Sequence, residues 1–465
     1  MREFASRYQR LSVQDAGFLY LEHAGLPQHV AILAVAEGGP LHDPDGRLRL
    51  DALRQQLVGR LELVPRLRQR VLWPRVGQGL PLWVDDPGFD LANHVHAVQV
   101  LAPGGERELL GLCDELCLRL LDRTRPLWEL WLVTGLDQGR VGLVLKLHHT
   151  LADGLAAVQI AGLLLDGTAN APNPAPPPWQ PRPTPSGWAL LADNLAERSA
   201  ALAAALARLG HPGRLAAQAR VLAGAAHMAA GGRRHQRRSV LRRPVGGRRR
   251  LAVVRAQLAE VKAVAHAHGA TVNDLLLAAV TRGLGALLLA RGTPTDGLTL
   301  YASVPVALRA RADTAALGNQ VGLMVVPLPV GEPDPVQRLW QVTRATAERK
   351  RRPERLASLR PAGSLTILRA LNRYSRHQRI VDVFVTNVPG PQRPLYVLGA
   401  RLVEAFPVVQ VAGNVPLSVA VLSYAGQLNI GIQSDPDACP DLDVFVDSLR
   451  QSLEELGAAT SSLPG

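Results

Sequence analysis

Cysteine, lysine and aromatic residues are all scarce in this chain of 465 residues. Three cysteines (Cys113, Cys117 and Cys439) cannot build a disulfide framework, which points to a reducing, cytoplasmic setting. Cys113 and Cys117 stand one helical turn apart and read as core residues, not as ligands. Aromatics are only 4% of the residues, but the hydrophobic share of 47% belongs to a globular chain with large cores. No apolar h-region follows Met1, so no secretory signal is expected. A membrane-spanning helix needs about 20 mostly apolar residues in a row, and no such run is evident. The longest uncharged stretch, residues 405–434, is broken by Pro407, Gly413, Asn414, Pro416, Gly426 and Asn429 and reads as strands and turns. There is also no Gly-rich phosphate loop, and no nucleotide or metal cofactor is implied.

Positive charge is abundant. The formal net charge is +13, almost wholly from arginine, since Lys146, Lys262 and Lys350 are the only lysines. Nine arginines, from Arg233 to Arg250, crowd one connecting segment. Such a run suits an anionic membrane surface, where each basic residue near the headgroups contributes about 1 kcal/mol. It also fits a solvated loop. Nucleic acid is not expected, because no Phe, Tyr or Trp lies between Arg233 and Arg250 to stack on bases.

The pattern along the chain predicts two α/β regions. Residues 1–167 alternate strand-like runs (29–36, 142–149) with helical ones (53–63, 107–121). Residues 168–188 are proline-rich and read as a semi-rigid linker. Residues 189–250 form a connecting segment, helical over 189–230 and then basic. A second α/β half follows over 251–465, with helices at 257–269, 275–290 and 442–457. Its strands are expected at 298–306, 321–328, 381–387, 416–424 and 427–433.

One short segment carries the chemistry. An apolar run from Val141 to Leu147 reads as a buried strand, and His148-His149-Thr150-Leu151-Ala152-Asp153-Gly154 closes it ahead of a helical stretch. A histidine at a strand end sits rigidly at a sheet rim and takes up a proton near neutral pH. Adjacent strand residues point to opposite faces, so His148 and His149 divide their work, one supporting and one reacting. Asp153 is placed to organise the turn, and Gly154 allows tight backbone geometry before the helix. The His149/Asp153 spacing would suit a metal pair only on one helix face, and the strand before it argues against that.

His148-His149-x-x-x-Asp153-Gly154 resembles the HHxxxDG signature of the CoA-dependent acyltransferase superfamily. Further segments resemble the bacterial wax ester synthase/diacylglycerol acyltransferase family. Residues 11–22 are similar to its N-terminal opening, and Arg125-Pro126-Leu127-Trp128-Glu129 to its PLW motif. Thr271-Val272-Asn273-Asp274 matches its ND motif, and Thr386-Asn387-Val388-Pro389-Gly390-Pro391 its NVPGP motif. The ordered matches run from Leu11 to Pro391 and so cover most of the chain.

That resemblance implies two chloramphenicol-acetyltransferase-like halves with mixed sheets flanked by helices, and an active-site channel between them. It implies an O-acyltransferase that moves a long acyl chain from acyl-CoA, a substrate and not a cofactor, to diacylglycerol or a fatty alcohol. His149 would be the general base. Asp153 would orient the turn through an arginine, for which Arg309 is the candidate. Asn387 would be a polar contact near the channel, or simply part of a turn set by Pro389-Gly390. Asn273 and Asp274 fit the motif or an ordinary helix N-cap. Leu127 and Trp128 read as core packing, with Arg125 and Glu129 as an ion pair. Peripheral contact with an anionic membrane or lipid-droplet surface is expected, with the arginine run as its basic element. Two other readings stay open: a condensation-type acyltransferase with a carrier-protein donor, and a catalytically weak lipid-surface paralogue.

Overall fold

The structure is a computed structural model describing residues 8–172, 178–209, 239–307, 321–351 and 378–461. Two six-stranded sheets carry the architecture. In the first, the strand order is Tyr396–Val397, Ala400–Val409, His29–Glu37, Arg140–His148, Trp128–Thr134 and Val95–Gln99. In the second it is Arg250–Gln257, Gln427–Ser434, Leu417–Tyr424, Val383–Pro389, Thr299–Ala307 and Val321–Pro329. Both sheets are mixed: Val95–Gln99 runs parallel to Trp128–Thr134, and Val383–Pro389 runs parallel to both of its neighbours. The central strands are buried along almost their whole length because helices or the other half cover both faces.

The sheets do not respect the expected division at residue 251. Ala400–Val409, from the C-terminal part of the chain, pairs antiparallel with His29–Glu37 in the first sheet. Its backbone also presses on the second sheet: a Cβ on Gly431 would lie 2.0 Å from the Pro407 carbonyl oxygen. One core lies in each half. A third joins them, built from Ala31, Leu33, Cys113, Cys117, Leu251 and Phe406 among others.

Helix Val272–Ala290 is the one helix, among the described residues, long and apolar enough to cross a membrane. It is mostly buried, packed against helices Leu442–Ser461 and Pro335–Lys350 as the spine of the second half. Thr271, not the Asn273-Asp274 pair, is its N-cap; Asp274 closes the capping box by accepting from Thr271 N and Oγ1. The expected helix over 53–63 is instead Leu50–Val58 followed by a 3-10 turn, and that over 189–230 begins as Gly187–Leu209. Residues 210–230 lie outside the described residues. The described end of the proline-rich segment is strapped down: Arg182 donates its backbone and side-chain N–H groups to Asp85, and Arg68 lies over the Trp179 ring.

Candidate active site

Strand Arg140–His148 is buried almost throughout and delivers the histidine pair to the edge of the first half. The chain then turns sharply. Leu151 and Ala152 both donate backbone N–H groups to the His148 carbonyl, at 2.8 and 3.2 Å. Asp153 ends the turn as N-cap of helix Gly154–Leu164, accepting from Ala156 N at 2.9 Å.

The two histidines diverge. His148 is fully buried, and its Nδ1 accepts the Thr150 backbone N–H at 3.0 Å. His149 is half-buried, its ring stacked on Phe18 with centroids 4.7 Å apart and planes 16° from parallel. Its backbone N–H is held by the Gln28 carbonyl at 2.7 Å. Burial lowers the His148 pKa, opposed by Glu22, so this ring stays neutral and supporting.

Asp153 meets no arginine among the described residues; burial raises its pKa, opposed by the backbone N–H groups of Ala156 and Leu155. Arg309 lies outside the described residues. Gly154 does not adopt a left-handed backbone. Its role is close approach, since a Cβ there would stand 3.3 Å from Val388 Cγ2. That contact brings the NVPGP segment onto the histidine turn. Asn387 sits in strand Val383–Pro389, opposite Val421, and not in a turn.

The other expected residues go elsewhere. Asp274 bonds Thr271 and the Thr346 hydroxyl (2.6 Å), which ties two helices of the second half together. Asn273 is half-buried in the first turn of that helix. Leu127 and Trp128 are fully buried, with the Trp128 indole N–H on the Leu67 carbonyl. The expected Arg125–Glu129 pair does not form. Arg125 lies 3.5 Å from Asp122, and Glu129 takes the buried Lys146 ammonium at 2.9 Å. In the arginine run, Arg242, Arg248 and Arg250 pair with Asp382, Asp437 and Asp443, and Arg249 is buried. Arg233 to Arg238 lie outside the described residues.

Glu22, the last residue of the N-terminal opening motif, escaped notice in the sequence. Its side chain is fully buried, with Oε1 lying 3.0 Å from His29 Nε2 and 3.3 Å from His148 Nε2, and Oε2 lying 3.0 Å from Arg123. Burial alone would raise its pKa; His148 and His29 override that and hold the carboxyl well below the usual carboxylate range. The available signal was a histidine, His29, opening an otherwise apolar strand seven residues after an acid.

An apolar cavity of about 60 Å³, partly open to solvent, lies against the same helix. Val158, Ala161 and Leu164 line it from helix Gly154–Leu164, facing Ile32 and Leu145 of the first sheet and Leu422 of the second. The Tyr424 hydroxyl is engaged by Leu395 N and the Leu402 carbonyl.

Two sheet-bearing halves with a histidine turn at their junction define the fold shared by condensation domains and this class of acyltransferase. The starter condensation domain of rhizomide synthetase shares this fold, with a TM-score of 0.60 at 15% identity over 98% of this chain and 95% of that one. The chain belongs to the wax ester synthase/diacylglycerol acyltransferase family. The model of that family's catalytic domain matches residues 11–276, and that of its C-terminal domain matches residues 317–457. The chain is 33% identical, over 96% of each sequence, to the Mycobacterium tuberculosis protein named "Probable diacyglycerol O-acyltransferase tgs1". The wax ester synthase/diacylglycerol acyltransferase from Marinobacter aquaeolei VT8 superposes with a TM-score of 0.70 and 26% identity, covering 97% of this chain and all of that one.

Proposed function

We propose that this protein transfers a long acyl chain from acyl-CoA to the hydroxyl of diacylglycerol or a fatty alcohol, with His149 as general base. The observation that carries this reading is the position of His149: stacked on Phe18, half-buried, on a turn whose following helix lines an apolar cavity. In the reaction His149 takes the hydroxyl proton as the oxygen attacks the thioester carbonyl. The new C–O ester bond forms, the C–S bond breaks, and the proton passes to the departing CoA thiolate. No redox step or further cofactor is needed. Asp153 and His148 hold the turn and move no proton. The cavity supports a long hydrocarbon substrate, because its lining offers almost no polar partner.

Contact with a lipid surface is part of the proposal, and its support has moved from the arginines to a helix. Trp188, Leu195 and Leu202, seven residues apart on helix Gly187–Leu209, are 81%, 58% and 61% exposed. Seven residues are nearly two full helical turns, so the three share one face. Val76 is fully exposed on the hairpin loop that Asn194 of the same helix holds through the Gly77 carbonyl.

The decisive assay measures free-thiol release from palmitoyl-CoA with diacylglycerol and hexadecanol offered separately, beside His149→Ala. Alcohol-dependent release that falls about 10²- to 10⁴-fold in the variant is the expected result. Full activity in the variant removes His149 from the role of base. No release by the native protein with either alcohol favours a carrier-protein donor.

A further inference from the structure

A fully buried carboxylate lies behind the histidine turn. Glu22 closes helix Val13–Leu21, the helix that also supplies Phe18. Neutralising one buried carboxylate takes one cation, and Arg123 already provides it with Nη2 at 3.0 Å and Nε at 3.3 Å from Oε2. The other oxygen does something else. Oε1 accepts the Gln28 backbone N–H at 3.1 Å and faces His29 Nε2 and His148 Nε2.

Each of those contacts leads to the histidine turn. The carbonyl of Gln28 receives the His149 backbone N–H, so Gln28 is clasped between Glu22 and the residue proposed as base. His148 accepts the Thr150 N–H on Nδ1, so its own proton sits on Nε2, facing the carboxylate. Thr150 in turn donates its hydroxyl to the Asp15 carbonyl on the same N-terminal helix. His29 points Nδ1 at the Cys117 carbonyl and Nε2 at Glu22, bridging the first sheet to the carboxylate. The result is a buried lattice with one anion at its centre, flanking His149 through His148 on one side and Gln28 on the other.

We propose that Glu22 is a positioning residue of the acyl transfer: by fixing the His148 tautomer and the Gln28 backbone, it sets the direction in which His149 meets the acceptor hydroxyl. This rests on the reading of His149 as base. A positioning group of this kind changes the rate of the chemical step and leaves substrate affinity alone, because it touches neither substrate.

The test is Glu22→Gln, assayed by thiol release beside native protein and His149→Ala, with 15N-histidine NMR on native protein. Glutamine keeps the shape and one acceptor oxygen, but it removes the charge and puts an NH2 donor where the second acceptor is needed, against either Arg123 or the Gln28 N–H. The expected result is kcat reduced about 10- to 100-fold with both KM values within about twofold, together with a native His148 protonated on Nε2. A folded Glu22→Gln protein with unchanged kcat overturns the role. So does a loss confined to KM, or a native His148 protonated on Nδ1. If the variant does not fold, the His148 tautomer in native protein decides. The two readings fail separately: loss in His149→Ala with full kcat in Glu22→Gln removes only the positioning role, whereas retained activity in His149→Ala removes the base itself.

Discussion

Gly154 and Val388 meet where the two sheet-bearing halves join, so closely that a Cβ on the glycine would stand 3.3 Å from Val388 Cγ2. One belongs to the histidine turn, the other to the NVPGP strand more than two hundred residues later. The contact therefore couples the placement of His149 to the seating of one half against the other. Motif residues with no chemistry of their own acquire a reason: each keeps the other small enough to approach.

Gly154→Ala should overpack this contact, costing about 1 kcal/mol or somewhat more of stability and lowering kcat. Val388→Ala alone should cost a similar amount by leaving a gap. The double variant should recover much of both losses, because the two side chains compete for one space. Thermal unfolding and thiol release on all four proteins form the cycle. Strictly additive effects would show that the close approach has no energetic content.

The sequence was most legible where periodicity was strong. The apolar strand ending at His148, the helix after Gly154 and most strands of the second half fall within a few residues of where the pattern puts them. The strand Ala400–Val409 was not anticipated, and nothing local could say that it joins the first sheet beside His29–Glu37. Sheet partnership is a long-range property, whereas hydropathy reports only which faces are buried. The same limit explains the site. His148, His149 and Asp153 are contiguous and visible together, but Glu22 reaches them only through the fold, as one more charge in an N-terminal helix. The Arg125–Glu129 pair failed for the converse reason. Residues close in sequence on a strand start are not thereby neighbours, and Lys146 across the sheet claims Glu129.

The apolar stripe of helix Gly187–Leu209 makes a distinct prediction about lipid surfaces. Replacing Trp188, Leu195 and Leu202 together by serine removes three large side chains that stand in solvent, so folding should be nearly unaffected. Partition onto vesicles of zwitterionic and anionic phospholipid should fall at least tenfold, since burying one such side chain contributes about 1.5–3 kcal/mol. Co-sedimentation at low and high salt separates the causes. A loss that persists at high salt assigns the contact to this apolar face. Binding that is unchanged in the triple variant and abolished by salt returns it to the arginines.

Asp114 makes the stability of the junction depend on pH. It lies on helix Glu106–Leu118 and reaches across to the second sheet, where Oδ2 accepts the Leu251 N–H at 2.7 Å and Oδ1 the Gln433 amide at 3.0 Å. Burial pushes its pKa up from 3.8 to about 6, held back by those two donors and by Arg249. The folded protein therefore binds this proton more tightly than the unfolded chain does. Between about pH 4 and 6 the contribution of Asp114 to stability falls as pH rises; that contribution is greatest below the window and levels off above it. The two-unit shift corresponds to roughly 3 kcal/mol of lost stability at neutral pH. Asp114→Asn cannot ionise, and Gln433 can turn its amide to present oxygen to the new NH2 group. The variant should be at least as stable as the native protein at pH 7, and the difference between the two should shrink steadily as pH drops to 4. Denaturant unfolding across that range measures it. A difference that stays constant with pH would mean that Asp114 keeps an ordinary pKa despite its burial between the halves.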